Sequence, residues 1–264
     1  MAPAAIDEKE RQEECPWFRS GFFADYNAVV GYYQVQACLE NGHGPSVLDL
    51  ACGDGVLTEL LARSFESVVG VDASSVHLAD ARGRVPEARF IESLIEELDI
   101  PERFDSVFML NVLEHVVDPI AALRHAASYL KEDGVMVVQV PNAHAINRRL
   151  AVHMGTLERM EELSPFDLQV AGHRRYYTLQ ALKDDALAAG LNVKATGGVF
   201  YKMLSSPQMD WFLRNGLWQE GGFGWGRMGA EPRDWKSEFC RACYELGKER
   251  PEDCNIVYVV VTRR

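Results

Sequence analysis

The sequence predicts an α/β protein built on a doubly wound, mostly parallel sheet of seven strands, with N-terminal helices and a helical insertion before the last strand. Short apolar segments alternate with amphipathic segments over residues 45–200. Glycine turns or helix caps separate these segments, and one more β-branched segment stands at 255–262. Such alternation closes as a parallel sheet with helices on both faces, because crossover connections are right-handed.

The composition agrees with a globular chain of this kind. The 264 residues are 47% hydrophobic and 25% charged, which excludes a mainly disordered chain. At ~150 residues per domain, the length favours one core fold with additions. The longest apolar runs are far shorter than the ~18 residues of a membrane span, and the acidic N-terminus has no secretory pattern. We therefore expect a cytoplasmic protein without a membrane partner.

The charge of the chain disfavours a nucleic acid as its partner. Asp and Glu number 39 against 27 Lys and Arg, which gives a formal net charge of −12. Binding to a phosphate backbone requires a cationic surface, and the densest basic spots are only two residues long, at 148–149 and 174–175. We expect no nucleic-acid partner.

The pattern of the sequence divides the chain into four parts. Residues 1–44 are rich in aromatic residues and predict an N-terminal helical cap, and residues 45–200 predict the α/β core. Residues 201–254 lose the alternation, become rich in glycine and tryptophan, and predict a lid or substrate insertion. A dimer contact explains this composition as well, so a homodimer stays an open alternative. Residues 255–264 predict the final core strand.

The core begins with two strands that each end in a polar turn. Residues 46–51 predict a buried strand, the glycine-containing turn 52–55 follows it, and apolar residues recur at helical spacing over 56–61. Residues 68–71 predict the second strand, which ends at the acidic Asp72. The later strands are predicted at 88–92, 105–110, 135–140, 191–199 and 255–262.

Two helices of the core have clear start signals. Residues 118–119 (Asp-Pro) have the cap-then-proline pattern of a helix start, and this helix is predicted to run to Lys131 before Gly134 stops it. Thr178 caps a further helix that is predicted to end at Gly190.

Glycines and polar residues gather where the predicted strands end. These residues lie at 49–55, 72–74, 93–96 and 111–115. Ligands of doubly wound sheets bind beyond the carboxyl ends of the strands. Gly53 and Gly55 let the backbone approach a ligand closely, and Asp72 is placed to accept hydrogen bonds from a ribose diol. The pattern therefore favours an adenosine-type ligand.

The glycine turn favours a cationic nucleoside over a dinucleotide. A dinucleotide site requires Gly-x-Gly-x-x-Gly, whereas Thr58 stands where the third glycine after Gly53 and Gly55 would be. Asp54 would also repel two phosphates, while Asp49, just before the turn, suits a ligand with a positive end.

Four segments in order resemble the motifs of one family. Residues 47–55, which read VLDLACGDG, resemble the first motif of the class I S-adenosylmethionine-dependent methyltransferases, a Rossmann-like family. The segments that resemble the second motif, the fourth-strand motif and the turn into the fifth strand are 68–74, 104–107 with 113–116, and 130–135. The small-molecule branch that includes ubiquinone-pathway O-methyltransferases is the nearest in pattern, partly through residues 173–178 (HRRYYT).

The resemblance implies S-adenosyl-L-methionine as the cofactor, bound by the core, and it assigns roles to single positions. The methionine part is assigned to Asp49, Ala51 and Gly53, the ribose hydroxyls to Asp72, the adenine border to Ala73, and backbone contacts at the methionyl end to Asn111.

Two positions depart from the family pattern. Glycine is usual where Ala51 stands, so its methyl group is expected to crowd the cofactor slightly. An acid usually follows the third strand, whereas Ser93, Leu94 and Ile95 offer a hydroxyl and apolar contacts. Recognition of adenine there is expected to use backbone amides.

The family's chemistry predicts methyl transfer to a small-molecule acceptor, in a biosynthetic role and most simply at oxygen. A sulfonium methyl is already activated, so its displacement requires mainly alignment and exclusion of water. A hydroxyl or amine acceptor also needs a base, and the candidates are His115, His173 and His144, each of which could equally be structural. No acidic cluster marks a metal site, so we predict no metal.

Other functions are open or disfavoured. Transfer to nitrogen or carbon, and a non-catalytic partner subunit that binds the cofactor, both stay open. An NAD-dependent oxidoreductase is disfavoured by the glycine pattern. Methylation of proteins or nucleic acids is disfavoured because residues 111–114 read NVLE instead of an Asn/Asp-Pro-Pro-Tyr clamp.

Four arginines outside the strands could meet an anionic group of a substrate. They are Arg148, Arg149, Arg174 and Arg175. Solvated helix faces explain at least two of them.

Aromatic residues and cysteines outside the core each have two interpretations. Tyr26, Tyr32 or Tyr33 could cover the cofactor or simply pack a helix onto the sheet. Cys240 and Cys243 are three residues apart on a predicted helix. They predict two buried thiols rather than a zinc site, because no second close pair supplies the other ligands.

Overall fold

A mixed sheet of seven strands in the order β3-β2-β1-β4-β5-β7-β6 forms the centre of the protein. The computed structural model describes residues 25–164, 167–215 and 235–264. The strands are β1 (Ser46–Leu50), β2 (Ser67–Asp72), β3 (Arg89–Glu92), β4 (Phe104–Leu110), β5 (Leu130–Pro141), β6 (Leu191–Val199) and β7 (Ile256–Arg263). The first five strands pair in parallel, and β7 is antiparallel to both β5 and β6. The predicted doubly wound α/β fold is confirmed.

Helices cover both faces of the sheet. They are α1 (Tyr26–Asn41), α2 (Val56–Ala62), α3 (Ser75–Arg84), α4 (Pro119–Ala127), α5 (Ile146–His153), α6 (Leu179–Ala188), α7 (Ser206–Asn215) and α8 (Trp235–Glu249). The side chains of Asp118 and Thr178 accept hydrogen bonds from the backbone amides three residues on. Both predicted helix starts are therefore confirmed by their caps. No helix in the described ranges is both long and apolar enough to cross a membrane.

Successive residues of β1 enter different cores. Leu48 and Leu50 belong to the cluster that α4 and α6 cover, while Val47 belongs to the cluster that α1 and α2 cover. Side chains alternate between the two faces of a strand, so helices on both faces require the nearly continuous apolar pattern that this strand has. This places Asp49, on the α1 side, in a buried position with 2% exposure.

The helix that begins after Asp118 ends earlier than predicted. It ends at Ala127, and Leu130 already pairs with Phe104 as the first residue of β5. The prediction that it runs to Lys131 and ends at Gly134 was wrong, because residues 131–134 form an irregular stretch of the strand. A Cβ atom on Gly134 would lie 2.9 Å from the carbonyl oxygen of Phe104. Glycine here permits close approach of two strands.

The N-terminal helix and α8 form a separate aromatic cluster. Tyr26 is 1% exposed and packs edge-on against Phe200, and Tyr33 stacks on Tyr244 with ring centroids 4.8 Å apart. These tyrosines therefore pack α1 onto the fold, and Tyr32 is 42% exposed.

The cysteines of α8 are free and buried. Cys240 is 1% exposed and Cys243 is 9% exposed, as predicted for two thiols on one helix face. The predicted N-terminal cap is described only from residue 25, and the glycine- and tryptophan-rich part of the predicted lid, at 216–234, lies outside the described residues.

We predict opposite effects for two glycine-to-alanine variants. Gly55 has a φ of +78°, and a Cβ atom there would lie 2.9 Å from both Cα and Cβ of Ala81. Gly55→Ala is therefore expected to lower the free energy of unfolding by about 2 kcal/mol or more. A Cβ atom on Gly83, in α3, would have no atom within 4 Å. Gly83→Ala should raise the free energy of unfolding by about 0.5–1 kcal/mol.

Urea unfolding of the two variants and the parent chain checks this expectation. Equal effects of the two substitutions would contradict the close packing of the turn against α3.

Candidate functional site

Strained backbone marks one edge of the sheet. Ala51, Asn111 and Phe200 have φ angles of 60°, 58° and 68°, and they are the non-glycine residues with positive φ in the described ranges. Each follows the last residue of a strand, β1, β4 or β6. These strands run in the same direction, so the three residues lie along the same edge. Residues in this conformation cluster at functional sites, and doubly wound sheets bind ligands at this edge.

The turn after β1 is tied to the end of β2 by Asp72. One carboxylate oxygen of Asp72 accepts a hydrogen bond from the Gly53 amide at 2.9 Å, and the other accepts one from the Ser74 amide at 2.9 Å. A Cβ atom on Gly53 would have no atom within 4 Å. The turn therefore faces open space at the position where the sequence predicts a ligand.

Asp49 lies beneath this turn as a buried acid. Its carboxylate accepts a hydrogen bond from the Thr58 hydroxyl at 2.7 Å. Burial raises the pKa of Asp49 to about 7, against the opposing effect of this hydrogen bond. A cationic group placed beside Asp49 would favour its ionised form, so this position suits the positive end of a ligand.

Three amide side chains lie between α1 and the ends of β4 and β5, and of these Gln34 and Gln139 are buried and Asn111 is half-buried. The side-chain oxygen of Gln34 accepts a hydrogen bond from Asn111 at 3.3 Å, and Gln139 donates to the Gln34 carbonyl at 2.9 Å. Within the described residues, Gln34 Nε2, Asn111 Oδ1 and Gln139 Oε1 have no hydrogen-bond partner. An unsatisfied buried amide is destabilising by about 1–3 kcal/mol, so these atoms favour a polar ligand.

The sequence analysis did not identify Gln34 as a site residue. Gln34 is a polar residue on the buried face of α1. Its position among the aromatic and apolar residues of this helix could have indicated a role in the site.

The segment after β3 supplies mainly backbone. The Ser93 amide donates to the Asp72 carbonyl at 3.0 Å. Leu94 is 41% exposed, whereas Ile95 packs into the main core with 7% exposure. Ala73 is half-buried beside Asp72. The Ile95 side chain is thus directed into the core, which leaves only its backbone for a ligand.

Two of the three predicted histidines come together after β4. The rings of His115 and His173 lie edge to face with centroids 5.0 Å apart. Glu114 adds a carboxyl group that is 1% exposed, with Oε1 3.9 Å from His115 Nε2. Ligand atoms of Glu114, His115 and His173 all lie within 4.8 Å of one another. This acid–histidine cluster can exchange protons, and its donor set could also hold a divalent metal ion.

His173 is fixed from its other side. Its Nδ1 lies 3.5 Å from Asp167 Oδ1, and its ring lies edge to face with Tyr176 at 5.6 Å. The Tyr176 hydroxyl donates to Asp167 at 2.9 Å, and the Ser164 hydroxyl donates to the other Asp167 oxygen. These contacts orient the ring within the acid–histidine cluster.

The arginines next to His173 hold the loop after β4. Arg174 donates through Nε to the His115 carbonyl at 2.7 Å. Arg175 donates to the carbonyls of Leu113 and Val116, at 2.7 Å and 2.5 Å. The resemblance over residues 173–178 therefore corresponds to a structural clamp that presents the cluster.

The other predicted polar residues lie elsewhere or are engaged by the protein. His144 forms a surface ion pair with Glu161 at 2.9 Å and is not a member of the acid–histidine cluster. Arg148 donates to two backbone carbonyls and lies over the Tyr176 ring. Arg149 pairs with Asp253 at 2.6 Å. These contacts hold both arginines within the protein, and contact with a substrate anion stays a prediction.

The chain is similar to known methyltransferases in sequence and in fold. The profile of a family described as a methyltransferase domain matches residues 32–196, more than half of the chain. The chain is 33% identical over 180 residues to the trans-aconitate 2-methyltransferase of Enterobacter sp. (strain 638), covering 65% of this chain and 67% of that protein. It is 38% identical over 113 residues to the ubiquinone biosynthesis O-methyltransferase of Bradyrhizobium diazoefficiens, covering 41% of this chain and 45% of that protein.

The chain thus spans less than half of the ubiquinone relative's length. Among solved structures, an S-adenosylmethionine-dependent methyltransferase from Mesorhizobium loti has a TM-score of 0.57 and 15% identity, over 89% of this chain and 98% of that one. This likeness shows a shared fold.

We predict a pH-dependent stability effect of Glu114→Gln. Within the described residues neither Glu114 oxygen has a hydrogen-bond partner, and burial raises the pKa of this group to about 7. Between the ordinary pKa of 4.5 and about 7, the folded protein therefore keeps a proton that the unfolded chain loses, and the free energy of unfolding falls as the pH rises through this range. The free energy of unfolding of the variant minus that of the parent should be about 2 kcal/mol larger at pH 8 than at pH 5.

Urea unfolding of the ligand-free protein at both pH values measures the difference. Glu132→Gln, at an exposed position of β5, is the matched control and should show no such pH dependence. A gain for Glu114→Gln that is equal at both values would contradict the assigned charge state.

Proposed function

Since the chain belongs to the class I S-adenosylmethionine-dependent methyltransferases, we propose that it transfers a methyl group from S-adenosyl-L-methionine to an oxygen atom of a small-molecule acceptor. The observation that carries the oxygen assignment is the acid–histidine cluster, which stands after β4 at the same sheet edge as the glycine turn. A hydroxyl must lose its proton during methylation, and such a cluster can accept it.

The residues present fit the cofactor. Open space above Gly53, the buried acid Asp49 and the unsatisfied amides of Gln34 and Asn111 supply backbone access, a partner for a cation and polar contacts. When bound, the cofactor supplies an activated methyl group on a sulfonium. The protein then has to align the acceptor and exclude water.

Each predicted cofactor residue receives a role in this proposal. Asp72 binds the ribose hydroxyls, because each of its oxygens retains acceptor capacity beyond its bond to a backbone amide. Asp49, Ala51 and Gly53 border the methionine part, and Asn111 contacts its end. Ala73, Leu94 and the Ile95 backbone border the adenine.

The acid–histidine cluster handles the acceptor proton. The His115 imidazole takes the proton from the acceptor hydroxyl, and Glu114 Oε1, 3.9 Å from His115 Nε2, stabilises the resulting imidazolium. His173 holds the His115 ring by its edge-to-face contact and is itself held by Asp167. Glu114 ionises readily in this role, since its pKa of about 7 lies near neutral pH.

One of the two relatives has a name that favours oxygen as the methyl acceptor. One is called a ubiquinone biosynthesis O-methyltransferase and the other a trans-aconitate 2-methyltransferase. Transfer to nitrogen or carbon and a non-catalytic cofactor-binding subunit are the alternatives, and formation of S-adenosylhomocysteine with an acceptor separates the last from an enzyme. A biosynthetic role, cytoplasmic location, a homodimer and the lack of a nucleic-acid partner stay predictions from the sequence.

Asp72→Ala tests the cofactor site. Loss of charge-assisted hydrogen bonds to the ribose should weaken binding of S-adenosylhomocysteine by roughly 10- to 100-fold. Isothermal calorimetry measures this, with Asp80→Ala at an exposed position of α3 as the matched control. Unchanged affinity of a folded Asp72→Ala variant would place the nucleoside elsewhere.

His115→Gln tests the proton acceptor. We expect kcat with a hydroxyl acceptor to fall by about 100-fold or more, while affinity for S-adenosylhomocysteine stays unchanged. The assay is formation of S-adenosylhomocysteine with a panel of phenols and hydroxy acids, and His144→Gln, at the surface ion pair, should retain parental activity.

Chelation separates the two chemistries that the cluster permits. A histidine base predicts no effect of EDTA on turnover. Loss of activity with EDTA that added Mg²⁺ or Zn²⁺ restores would instead assign Glu114, His115 and His173 as metal ligands.

A further inference from the structure

Lys202 is a buried cation at the ligand edge of the sheet. It stands three residues after the end of β6, whose direction matches that of β1 and β4. The intervening Phe200 has a φ of 68° and is fully buried. Lys202 itself is 5% exposed. The same edge thus carries the glycine turn, the acid–histidine cluster and this ammonium group.

The ammonium group of Lys202 has little local compensation. It donates one hydrogen bond, to the Ser206 hydroxyl at 2.9 Å, and lies 4.7 Å from the centre of the Tyr26 ring. Within the described residues, no carboxylate oxygen lies within 4.0 Å of it. A lysine has three N–H donors, and a buried charge without a counter-ion is destabilising. Because burial of this ammonium group is destabilising, its position indicates a role other than stabilising the fold.

The acidic groups that face Lys202 are engaged by other residues. Asp210 accepts a hydrogen bond from the Tyr26 amide, and Asp167 accepts from Ser164 and Tyr176. Burial lowers the pKa of Lys202, Asp210 and Asp167 raise it, and Arg148 lowers it, so that the pKa is about 8. An additional anion would restore the fully charged form.

Lys202 lies on the acceptor side of the proposed reaction centre. Asp167 and Arg148 both act on Lys202 electrostatically. The same two residues flank the acid–histidine cluster, since Asp167 lies 3.5 Å from His173 and Arg148 lies over Tyr176. Lys202 and the acid–histidine cluster therefore share two charged neighbours, Asp167 and Arg148.

We propose that Lys202 recognises the methyl acceptor, which carries a carboxylate that pairs with its ammonium group. The proposal rests on the proposed function and adds the substrate class. One buried cation matches one negative charge, and a carboxylate forms short charge-assisted hydrogen bonds with an ammonium. A phosphate dianion would require more donors, and Arg148, whose charge acts on Lys202, is engaged by two backbone carbonyls.

The experiment compares carboxylates with their neutral amides in the presence of S-adenosylhomocysteine. The probes are matched pairs such as 3,4-dihydroxybenzoate and 3,4-dihydroxybenzamide, with binding followed by calorimetry. The parent chain should prefer the carboxylates by at least tenfold, and Lys202→Met should abolish this preference. Lys194→Met, an exposed lysine on β6, is the matched control and should keep it.

A second readout separates recognition from a structural role. If Lys202 binds a ligand and does not stabilise the fold, the ligand-free Lys202→Met variant should unfold at a higher temperature than the parent, because a buried charge has been removed. Lys202→Arg, which keeps the charge, should retain part of the carboxylate preference.

Two results would overturn the proposal. One is equal affinity of the parent for carboxylates and amides across the panel, and the other is an undiminished preference in Lys202→Met. Failure of the parent to bind S-adenosylhomocysteine at all would instead refute the proposed function.

Discussion

The candidate site depends on the backbone conformation of the turn between β1 and α2. Three of the five residues 51–55 have φ angles in the left-handed region. Ala51, Gly53 and Gly55 have φ angles of 60°, 55° and 78°. The turn is held against β2 by the Cys52 amide, which donates to the Val71 carbonyl, and by Asp72. This shape starts α2, buries Asp49 below and leaves open space above. The strain at Ala51, where the family usually has glycine, is offset by these ties to β2.

On the proposed acceptor side, most charged side chains are held by hydrogen bonds within the protein. The arginines near it are fixed on backbone carbonyls or on Asp253, where they hold loops in place. The groups that remain for chemistry are buried and imperfectly compensated, namely Glu114 and Lys202. Burial shifts both of their pKa values toward neutrality. Perturbed groups of this kind are typical of sites that react with or bind a ligand.

Much of the fold could be predicted because its signals are local. Apolar runs that end in glycine or aspartate mark the strands, and Asp118 and Thr178 announce their helices through caps. The end of α4 was missed because Leu130 continues a helical pattern, although it is the first residue of a strand. Leu130 is assigned to the strand by its pairing with Phe104, twenty-six positions earlier, and no local sequence pattern indicates this pairing.

The candidate site was more predictable on its proposed cofactor side than on its proposed acceptor side. Asp49 and Gly53 lie in one short segment and Asp72 lies in a second one, and each segment resembles a family motif, so their neighbours in sequence indicate them. His115 and His173 meet only because of the tertiary fold, and His144 looked equivalent in sequence yet lies at the surface. Gln34 and Lys202 are lone polar residues in apolar surroundings. Their importance follows from burial, which the sequence does not display.

The position of β7 has a consequence for how the molecule is made. β7 follows β6 in the chain but stands between β5 and β6 in the sheet, so β6 joins the sheet through its pairing with β7. A nascent chain leaving the ribosome can assemble β1 to β5 early, whereas β6 must wait with its pairing edge uncovered. The end of β6 that leads to Lys202 is therefore completed after the glycine turn, and the edge of β6 is exposed during this interval.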